Sequence, residues 1–442
     1  MPPAPNVPSA DAQLVRAIGV RQLTASIINV TIGAGIFVLP AVVAKGLGPA
    51  APVAYLVCAV LMTLIVLCFA SAGSRVSLSG GLYAYIDVAF GGYIGFVGGV
   101  IYWLTACFSV ASVASAFAGS VGEMWAPAGA GIGRAAVLIA LFGGLAFINV
   151  RGVKPGARVV EGVTAAKLIP LLLLVGVGVW SVHGEYLRMT WPAASQVGDT
   201  AIILIFAFIG IEIALAQSGE IHDTARTVPR AAVLALVITT TLYLAIQGVA
   251  QGVLGPELAT YADAPLAETA GRLLGGAGRL LVLVGATVSM FGYVSGDMLG
   301  TPRALFALGR DGVMPAALAK VHPRFHTPSV AIVTYAVIVS TLAVSGSFAQ
   351  LAIISNVAAL SMYFLCIAAS YELQRRNVRM AGIPFALPGG ALLPLLAAGG
   401  VLWFLSHATR REFAINAAVL AVATVYYLLQ RRAGSSSEER SR

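Results

Sequence analysis

The sequence predicts an all-α polytopic membrane protein with twelve transmembrane helices, a 5+5 inverted repeat with discontinuous helices 1 and 6, plus two C-terminal helices. Three observations predict this fold: a composition that suits a lipid solvent, twelve apolar stretches of spanning length, and glycine-rich interruptions in two of them. Charged residues make up only 10% of the 442 residues and hydrophobic residues 59%, against about 25% charged residues in a soluble domain. So few charges cannot cover a soluble surface of this size.

The charge and the reactive side chains exclude several classes of protein. The net charge of +9 is spread over short loops, so it does not predict a nucleic-acid partner. The histidines lie in or near loops, and none has partners at the spacing of a metal site or a catalytic triad. The cysteines all lie inside apolar runs: Cys58, Cys68, Cys107 and Cys366. We therefore expect no disulfide, metal, cofactor or catalytic site.

Twelve stretches of the chain are long and apolar enough to cross a bilayer as helices. A spanning helix needs about 20 predominantly apolar residues, and short loops separate the stretches. They centre near Asn29, Met62, Thr105, Ala140, Leu172, Ala207, Thr239, Val288, Ala336, Leu360, Ala397 and Leu420. The third, over about residues 93–123, is the longest, which predicts a long, tilted helix.

The basic residues predict the orientation of these helices. With both termini in the cytoplasm, 19 of the 27 lysines and arginines fall in cytoplasmic segments and 7 in outer segments. Cytoplasmic loops of membrane proteins carry such an excess of positive charge. We therefore expect a multi-pass protein of the cell inner (cytoplasmic) membrane with both termini in the cytoplasm.

The loops are too short to form a soluble domain, so the chain is expected to be one membrane domain. The N-terminal residues lack the basic start and apolar core of a cleaved signal, and the first helix is expected to serve as an uncleaved one. The predicted organisation is a disordered cytoplasmic N-terminus over 1–13, a membrane transport domain over 14–432, and a disordered cytoplasmic tail over 433–442. Within that domain we expect repeat one over about 14–182, repeat two over about 198–372, and extra helices over about 388–432.

Two of the predicted helices contain an interruption. The first carries Gly33-Ala34-Gly35 at its middle, and the sixth carries Gly210 followed by the carboxylate of Glu212. Glycine weakens a helix, and the two interruptions stand at matching places in the two halves. Because each half has five spans, an odd number, the halves insert in opposite directions. This is the pattern of an inverted repeat whose broken helices meet at mid-membrane.

The chemistry of such breaks suits an amino acid. The N–H groups at the start of a half-helix bind a carboxylate, and the C=O groups at the end of a half-helix attract an ammonium group. The alternative is that the glycines only let helices pack closely. The glycine cluster, the matching position and the adjacent Glu212 favour breaks.

Four motifs in the expected order resemble those of a known family. They cover Ile32–Pro40, Ser79–Gly91, Phe208–Arg230 and Arg303–Pro328. Over nearly the whole chain the sequence resembles the amino acid–polyamine–organocation (APC) superfamily of amino acid permeases, which share the leucine-transporter fold. The resemblance implies transport by alternating access around the two breaks.

The resemblance, together with the N–H and C=O groups that the interruptions expose, predicts the substrate contacts. The substrate carboxylate is expected on the backbone of the first break, at Ile32, Gly33, Ala34, Gly35 and Ile36. Its ammonium is expected at the second break, on the carbonyls of Phe206, Ala207 and Ile209, beside Gly210. The resemblance implies that Phe206 acts as an aromatic lid; the alternative is ordinary packing.

The third helix bears on the side chain of the substrate. Relatives that carry a guanidinium substrate hold it with polar side chains at the positions of Ala106 and Val110. Both residues are apolar here. This favours a neutral amino acid.

Three ionisable residues at membrane depth are candidates for coupling, because such groups are costly unless they function. Glu212 is expected to clamp the broken ends, to link the site to a gate, or both. Lys167 lies about nine residues, or about 14 Å of helix, beyond Arg158, which is deep for a side chain that merely reaches the interface. The resemblance implies that Lys167 takes the place of sodium in sodium-coupled relatives and contacts the first and eighth helices. A cation there would repel sodium, so protons are the expected coupling ion.

Asp297, in the eighth stretch, has no usual counterpart in the superfamily. Two hypotheses compete for it. It could pair with Lys167, so that both charges are neutralised, or it could face the substrate and attract a cationic side chain. The second would favour substrates such as lysine or ornithine.

The sequence thus predicts a secondary active transporter of neutral amino acids, coupled to protons. The alternatives are an exchanger of amino acids, or of cationic amino acids and polyamines, and, less favoured, a sodium symporter. The chain also lacks the residues of a membrane-embedded enzyme and the repeated carbonyl filter of a channel.

Overall fold

The computed structural model describes residues 19–76, 81–152, 157–212, 221–310, 315–380 and 383–440. The predicted N-terminal segment 1–13, the first two residues of the second predicted motif (79–80), and residues 213–220 and 311–314 of the third and fourth motifs lie outside the described residues.

The described part of the chain is helical, without a β-strand. In chain order the helices are α1 (Val20–Thr31), α2 (Gly35–Leu47), α3 (Ala51–Arg75), α4 (Leu82–Phe90), α5 (Gly92–Met124), α6 (Gly131–Val150), α7 (Ala157–Gly178), α8 (Ala194–Leu204), α9 (Thr224–Leu254), α10 (Pro265–Arg310), α11 (Ser329–Ser345), α12 (Phe348–Arg375), α13 (Leu392–Ser406) and α14 (Arg410–Arg440).

Each predicted stretch has its centre in one of these helices or, for Ala207, in a short 3-10 helix, Ile205–Phe208. The long third stretch, predicted over about 93–123, is α5. Among the described residues, seven helical stretches are long and apolar enough to cross a membrane, and four shorter apolar helices accompany them. The chain is therefore an all-helical protein with the apolar helices of a multi-pass membrane permease.

The outer surface is apolar, as a lipid solvent requires. On α14, Val422 is 72% exposed, and Val425, Leu428 and Leu429 are also exposed. These side chains would be costly in water over so large an area. The four cysteines, by contrast, are buried in the interior with free thiols.

The packing brings the two predicted interruptions together. α5 packs on α10 and α12, while α1 and α3 pack on α9. α2 packs on both α8 and α10. The start of α2 and the end of α8 therefore meet between these groups of helices.

Two helices, α10 and α14, differ from what the sequence predicts. α10 is divided at Gly275, whose φ of 68° and ψ of −162° are not helical, so a short segment precedes its long one. The backbone of α14 stays helical to Arg440, although we expected residues 433–442 to be disordered. Elongating an existing helix adds one hydrogen bond per residue, and the segment's Ala, Glu and Arg are good helix formers.

Candidate functional site

The first interruption separates α1 from α2. α1 ends at Thr31, and Ile32 leaves the helix with a φ of −75° and a ψ of 77°. The N–H of Ile32 donates to the carbonyl of Ile28 at 2.9 Å, and that of Gly33 donates to the carbonyl of Thr31 at 2.8 Å. α2 then begins at Gly35, so the chain is non-helical for about one turn.

This interruption leaves hydrogen-bond donors at the start of α2. The first N–H groups of a helix have no acceptor within it, and the dipole makes that end positive. The N–H of Phe37 already donates to the carbonyl of Ala34 at 3.0 Å. The donors that remain for a ligand are those of Ala34, Gly35 and Ile36.

The predicted carboxylate site is therefore too long, because its first two residues have no free N–H group. We expected the backbone N–H groups from Ile32 onward to meet the substrate carboxylate. Those of Ile32 and Gly33 are instead bonded to carbonyls of α1, because the chain closes a tight turn before α2 starts. Only the last three of the five predicted positions offer free donors.

The second interruption follows α8. The helix tightens into the 3-10 segment Ile205–Phe208, and Ile209 is extended, with a φ of −71° and a ψ of 146°. Gly210 has a φ of 120°, a conformation that only glycine adopts easily. A Cβ at Gly210 would also lie 2.9 Å from Cγ1 of Val30, so the residue must be glycine for two independent reasons.

The two interruptions touch each other. A Cβ built at Gly35 would lie 3.1 Å from the Cα and 3.2 Å from the Cβ of Ala207. Gly210 in turn lies against Val30 at the end of α1. The N-terminal end of α2 and the C-terminal end of the 3-10 segment are thus neighbours, and a small zwitterion at this place would face donors from one and carbonyls from the other.

Glu212 holds the second interruption. Its side chain is 4% exposed, and its Oε2 accepts hydrogen bonds from the N–H of Gly210 at 3.0 Å and from the hydroxyl of Tyr363 on α12 at 2.8 Å. Hydrogen bonds to a charged acceptor are the strong ones. Glu212 therefore ties the second interruption to α12 and places a carboxyl group of the chain itself on the N–H of Gly210.

Tyr243 on α9 joins both interruptions. Its hydroxyl lies 3.0 Å from the carbonyl of Thr31 and 2.9 Å from the carbonyl of Ala207. The side chain is fully buried, and its ring meets that of Phe208 edge-on at 5.5 Å. A single hydroxyl proton is shared between the two carbonyls, so Tyr243 ties the end of α1 to the end of the 3-10 segment.

Lys167 on α7 also contacts the end of α1. Its side chain is 6% exposed, and its Nζ donates to the carbonyl of Asn29. The last carbonyls of a helix lack intrahelical donors, and a cation there matches the dipole. This is the first-helix contact that the resemblance implied for Lys167.

Asp297 on α10 is bound by hydroxyl groups. Its Oδ2 accepts from the hydroxyl of Tyr335 on α11 at 2.6 Å, and its Oδ1 accepts from the hydroxyl of Thr301 at 2.9 Å. In the described part of the chain, no ion pair within 4.0 Å joins it to Lys167. The hypothesis of such a pair is therefore wrong for this conformation.

The packing of α7 on α10 explains why Lys167 and Asp297 do not meet. α10 touches Ala166 at Gly285, where a Cβ would lie 2.7 Å from the Ala166 carbonyl oxygen. Asp297 follows Gly285 by about 18 Å of helix. The ammonium of Lys167 reaches α1 instead.

The remaining candidates form the walls around the breaks. The ring of Tyr293 lies 4.0 Å from the position of a Cβ at Gly33, and its hydroxyl bonds to that of Ser109 on α5 at 2.8 Å. On the same helix Val110 is buried and Ala106 is half-buried. These residues form an apolar wall that one hydroxyl pair interrupts.

Phe206 is buried and packs edge-on against Phe348, the first residue of α12, with ring centroids 5.6 Å apart. Gly33, Ile209 and Tyr293 are half-buried. The breaks are therefore covered by an aromatic pair where α12 begins and are more open where α1 approaches.

Several of these residues were missed by the sequence analysis. Tyr243 and Tyr363 contact the breaks from distant helices. The amide of Asn356 donates to carbonyls in the last turn of α8, those of Ile202 at 2.8 Å and Ile203 at 3.3 Å. No local pattern distinguishes a tyrosine or asparagine that caps a break in another helix. The one available signal was a polar residue inside an otherwise apolar stretch.

Comparison with known proteins places the chain in a family. The family model described as amino acid permease matches residues 18–426. An uncharacterised transporter of Mycobacterium tuberculosis is 30% identical over 424 residues, covering 95% of this chain and 92% of the relative.

Two relatives of Bacillus subtilis carry more specific names. The serine/threonine exchanger SteT is 27% identical, covering 89% of this chain and 91% of the relative. The branched-chain amino acid permease BcaP is 26% identical, covering 88% and 87%. Together with the interrupted helices, these matches show that the chain belongs to the amino acid permeases of the APC superfamily, multi-pass membrane transporters of small-molecule amino acids and not enzymes.

Proposed function

We propose that this permease moves neutral amino acids across the cytoplasmic membrane by alternating access, with the zwitterion held between the two interrupted helices. The observation that carries the proposal is the contact between the breaks, where the backbone at Gly35 meets Ala207. Opposed helix ends at this place offer a carboxylate site and an ammonium site a few ångströms apart. Transport then needs no covalent chemistry.

The free backbone groups support one orientation of the substrate. The carboxylate accepts hydrogen bonds from the N–H groups of Ala34, Gly35 and Ile36 at the start of α2. The ammonium donates to the carbonyls around Phe206 and Ala207. The carbonyl of Ala207 already accepts from Tyr243, and its second lone pair remains for the substrate.

A neutral side chain fits the walls of this site. Ala106 and Val110 on α5 offer no polar group to a cationic side chain, and the nearest hydroxyls, those of Ser109 and Tyr293, are bonded to each other. Asp297 directs its carboxylate to Tyr335 on α11. The names of SteT and BcaP, which refer to serine, threonine and branched-chain amino acids, agree with a neutral substrate.

A cationic substrate is the second candidate. A relative from Corynebacterium glutamicum, 29% identical and covering 70% of this chain and 64% of the relative, is named an L-lysine transport protein. Under this hypothesis Asp297 would turn from Tyr335 toward the substrate. An Asp297→Asn variant that carries neutral amino acids normally and loses lysine would support it.

The proposed architecture is the one that the sequence predicts: twelve membrane helices, an inverted repeat of five and five, and both termini in the cytoplasm of an inner-membrane protein. The interruptions after Thr31 and after Phe208 stand at the corresponding places of the two halves, which supports the repeat. Alternating access then follows from rocking of the helices around a fixed site.

Proton coupling is proposed over sodium coupling. Lys167 places a buried cation on the end of α1, where it would repel a sodium ion. Lys167, Glu212 and Asp297 are the candidate coupling residues. Exchange of one amino acid for another without a coupling ion is the alternative mode.

The test is transport by the purified protein in proteoliposomes. Liposomes loaded with unlabelled L-serine, L-valine or L-lysine are given the same labelled amino acid outside, and counterflow is measured. The proposal predicts counterflow of serine or valine that is unchanged when choline replaces sodium. Counterflow of lysine alone, or a strict requirement for sodium, would contradict it.

A binding measurement ranks the substrates independently. A ligand that binds the folded state raises its apparent thermal stability. Screening amino acids and polyamines should give the largest shifts with neutral amino acids. Shifts with polyamines alone would favour the cationic alternative.

A further inference from the structure

Asp297 lies in the eighth predicted stretch, and among the described residues no lysine, arginine or histidine forms an ion pair with it. Its carboxylate is bound by two hydroxyl groups, from Tyr335 on α11 and Thr301 on its own helix. The ionisable groups around it are the phenols of Tyr102, Tyr293 and Tyr335 and the thiol of Cys107, contributed by α5, α10 and α11. None of these neighbours is a lysine or arginine that would fix its charge.

Among the described residues, the side chain of Asp297 bonds to no main-chain group, unlike those of Lys167 and Glu212. Lys167 bonds to the carbonyl of Asn29, and Glu212 bonds to the N–H of Gly210 as well as to the hydroxyl of Tyr363. Both hold main chain at an interruption, so a change in their charge would loosen the break itself. Within the described part of the chain, Asp297 bonds to two hydroxyls, that of Tyr335 on the neighbouring α11 and that of Thr301 on α10 itself.

Hydroxyl groups allow a carboxyl group to gain and lose a proton. A hydroxyl can donate and accept, whereas a backbone N–H only donates and a carbonyl only accepts. The hydroxyls of Tyr335 and Thr301 donate to the ionised carboxylate. When the carboxyl is protonated, one of them can rotate and accept, so both states of Asp297 are satisfied without moving main chain.

Asp297 also lies close to the substrate site. Tyr293, whose ring covers Gly33, precedes Asp297 by four residues on α10. Residues four apart share a face of the helix and are about 6 Å apart. Asp297 is half-buried, and a Cβ at its neighbour Gly296 or at Gly300 would meet nothing within 4 Å, so packing does not close α10 on either side of this residue.

We propose that Asp297 is the binding site of the coupling proton, and that Lys167 and Glu212 are fixed charges that hold the breaks. This inference rests on the proposed transport function and adds the ion that drives it. The carboxylate takes a proton from water when the site faces outward and returns it to water when the site faces the cytoplasm. One proton then accompanies each neutral amino acid, so each cycle moves one positive charge inward.

The experiment compares two modes of transport by the same protein in proteoliposomes. Counterflow requires binding and alternating access but no net movement of protons, whereas accumulation against a gradient requires the proton. A pH gradient of one unit, alkaline inside, corresponds to about tenfold accumulation at one proton per amino acid. The variants are Asp297→Asn, which keeps the shape of the side chain, and Asp297→Glu, which keeps a carboxyl group.

We expect the wild type to accumulate its substrate about tenfold. Asp297→Asn should retain counterflow within about threefold and show no accumulation, while Asp297→Glu should recover part of it. An inside-negative membrane potential should likewise drive uptake by the wild type and not by Asp297→Asn. Accumulation by Asp297→Asn equal to that of the wild type would overturn the proposal and leave the transport function intact.

Two further outcomes distinguish a failure of proton coupling from a failure of the transport function. Wild-type counterflow without any accumulation in a pH gradient would overturn proton coupling, and absence of wild-type counterflow would overturn the transport function itself. If Asp297→Asn does not fold, Tyr335→Phe replaces it, because it keeps the acid and removes one partner. The proposal then predicts that accumulation by Tyr335→Phe depends on pH differently from the wild type, and superimposable pH profiles would overturn it.

Discussion

The two interruptions have the same origin but opposite chemistry. Both occur at glycine inside an apolar helix, at Gly33–Gly35 and at Gly210. At the first, no side chain of the described residues takes the N–H groups of Ala34, Gly35 and Ile36. At the second, the corresponding N–H, that of Gly210, donates to the carboxylate of Glu212. The protein's own acid thus occupies at one break the position that the other leaves for the substrate's acid.

In the proposed binding mode, this difference sets the direction in which a zwitterion binds. A substrate carboxylate at the second break would meet the carboxyl group of Glu212, which already accepts the hydrogen bond from the N–H of Gly210. At the first break it meets only donors at the positive end of α2. A symmetric pair of breaks would bind the substrate in either direction, and one acidic residue removes that symmetry.

The largest effect is expected from removing that acid. Glu212→Ala leaves the N–H of Gly210 and the hydroxyl of Tyr363 without their acceptor, at a cost of about 1–3 kcal/mol for each buried donor. We expect counterflow to fall by about 100-fold or more, and the thermal midpoint to fall with it.

Glu212→Gln is the matched control, because its amide oxygen can still accept these hydrogen bonds. It should be less impaired than Glu212→Ala in both measurements. Counterflow by Glu212→Ala within threefold of the wild type would show that Glu212 is not needed to hold the second break.

A methyl group at the contact between the breaks should have the next largest effect. In Gly35→Ala the added Cβ meets the main chain of Ala207 at 3.1 Å, and main chain cannot rotate away. Overpacking of this kind costs about 1–3 kcal/mol, which predicts about a 10- to 100-fold loss of counterflow.

Gly143→Ala on α6 is the control, since a Cβ there meets nothing within 4 Å. It should transport like the wild type and be no less stable. If Gly35→Ala and Gly143→Ala are equally active, the two breaks are not packed together as described.

A smaller effect is expected at the residue that joins the breaks. Tyr243→Phe removes the hydroxyl between Thr31 and Ala207 and keeps the ring on Phe208. The loss of one buried hydrogen bond is worth about 1 kcal/mol, or about fivefold in the apparent affinity for substrate. The KM of uptake is the quantity to measure.

Tyr55→Phe is the control for this variant. Tyr55 is equally buried, bonds to Gln247 at 3.2 Å, and meets the ring of Tyr243 edge-on, so it tests the packing there without the hydrogen bonds to Thr31 and Ala207. A KM that changes equally in the two variants would show that Tyr243 contributes only general packing.

The smallest effect is expected away from both breaks. Arg272 and Glu257 form an ion pair at 2.7 Å whose side chains are 55% and 58% exposed. Exposed pairs contribute about 0–1 kcal/mol, so Arg272→Gln should alter counterflow by less than about twofold. A larger loss would mean that surface charges, and not the breaks alone, control the transport cycle.

The sequence was most informative where a local pattern carries the structure. Gly33–Gly35 and Gly210 stand out because they occupy matching places in the two halves of the chain, and Glu212 stands out because an acid is costly inside a membrane helix. The length of α5 also followed from its apolar run alone. These features depend on residues close together in the chain.

The sequence was least informative about partners from distant helices. Tyr243 reaches Thr31 across 212 positions, and Tyr363 reaches Glu212 across 151. Neither tyrosine differs locally from one that faces lipid. The partner of Asp297 was missed for the same reason, since charge alone suggested Lys167 and only the packing of α10 on α11 brings Tyr335 to the carboxylate.

The most direct test of the opposed breaks is an experimental structure of the protein with a neutral amino acid bound. We predict substrate carboxylate oxygens within about 3.0 Å of the N–H nitrogens of Gly35 and Ile36, and the ammonium nitrogen within about 3.0 Å of a carbonyl oxygen at Phe206 or Ala207. A carboxylate bound at Gly210, or held by Lys167 away from the start of α2, would contradict the account.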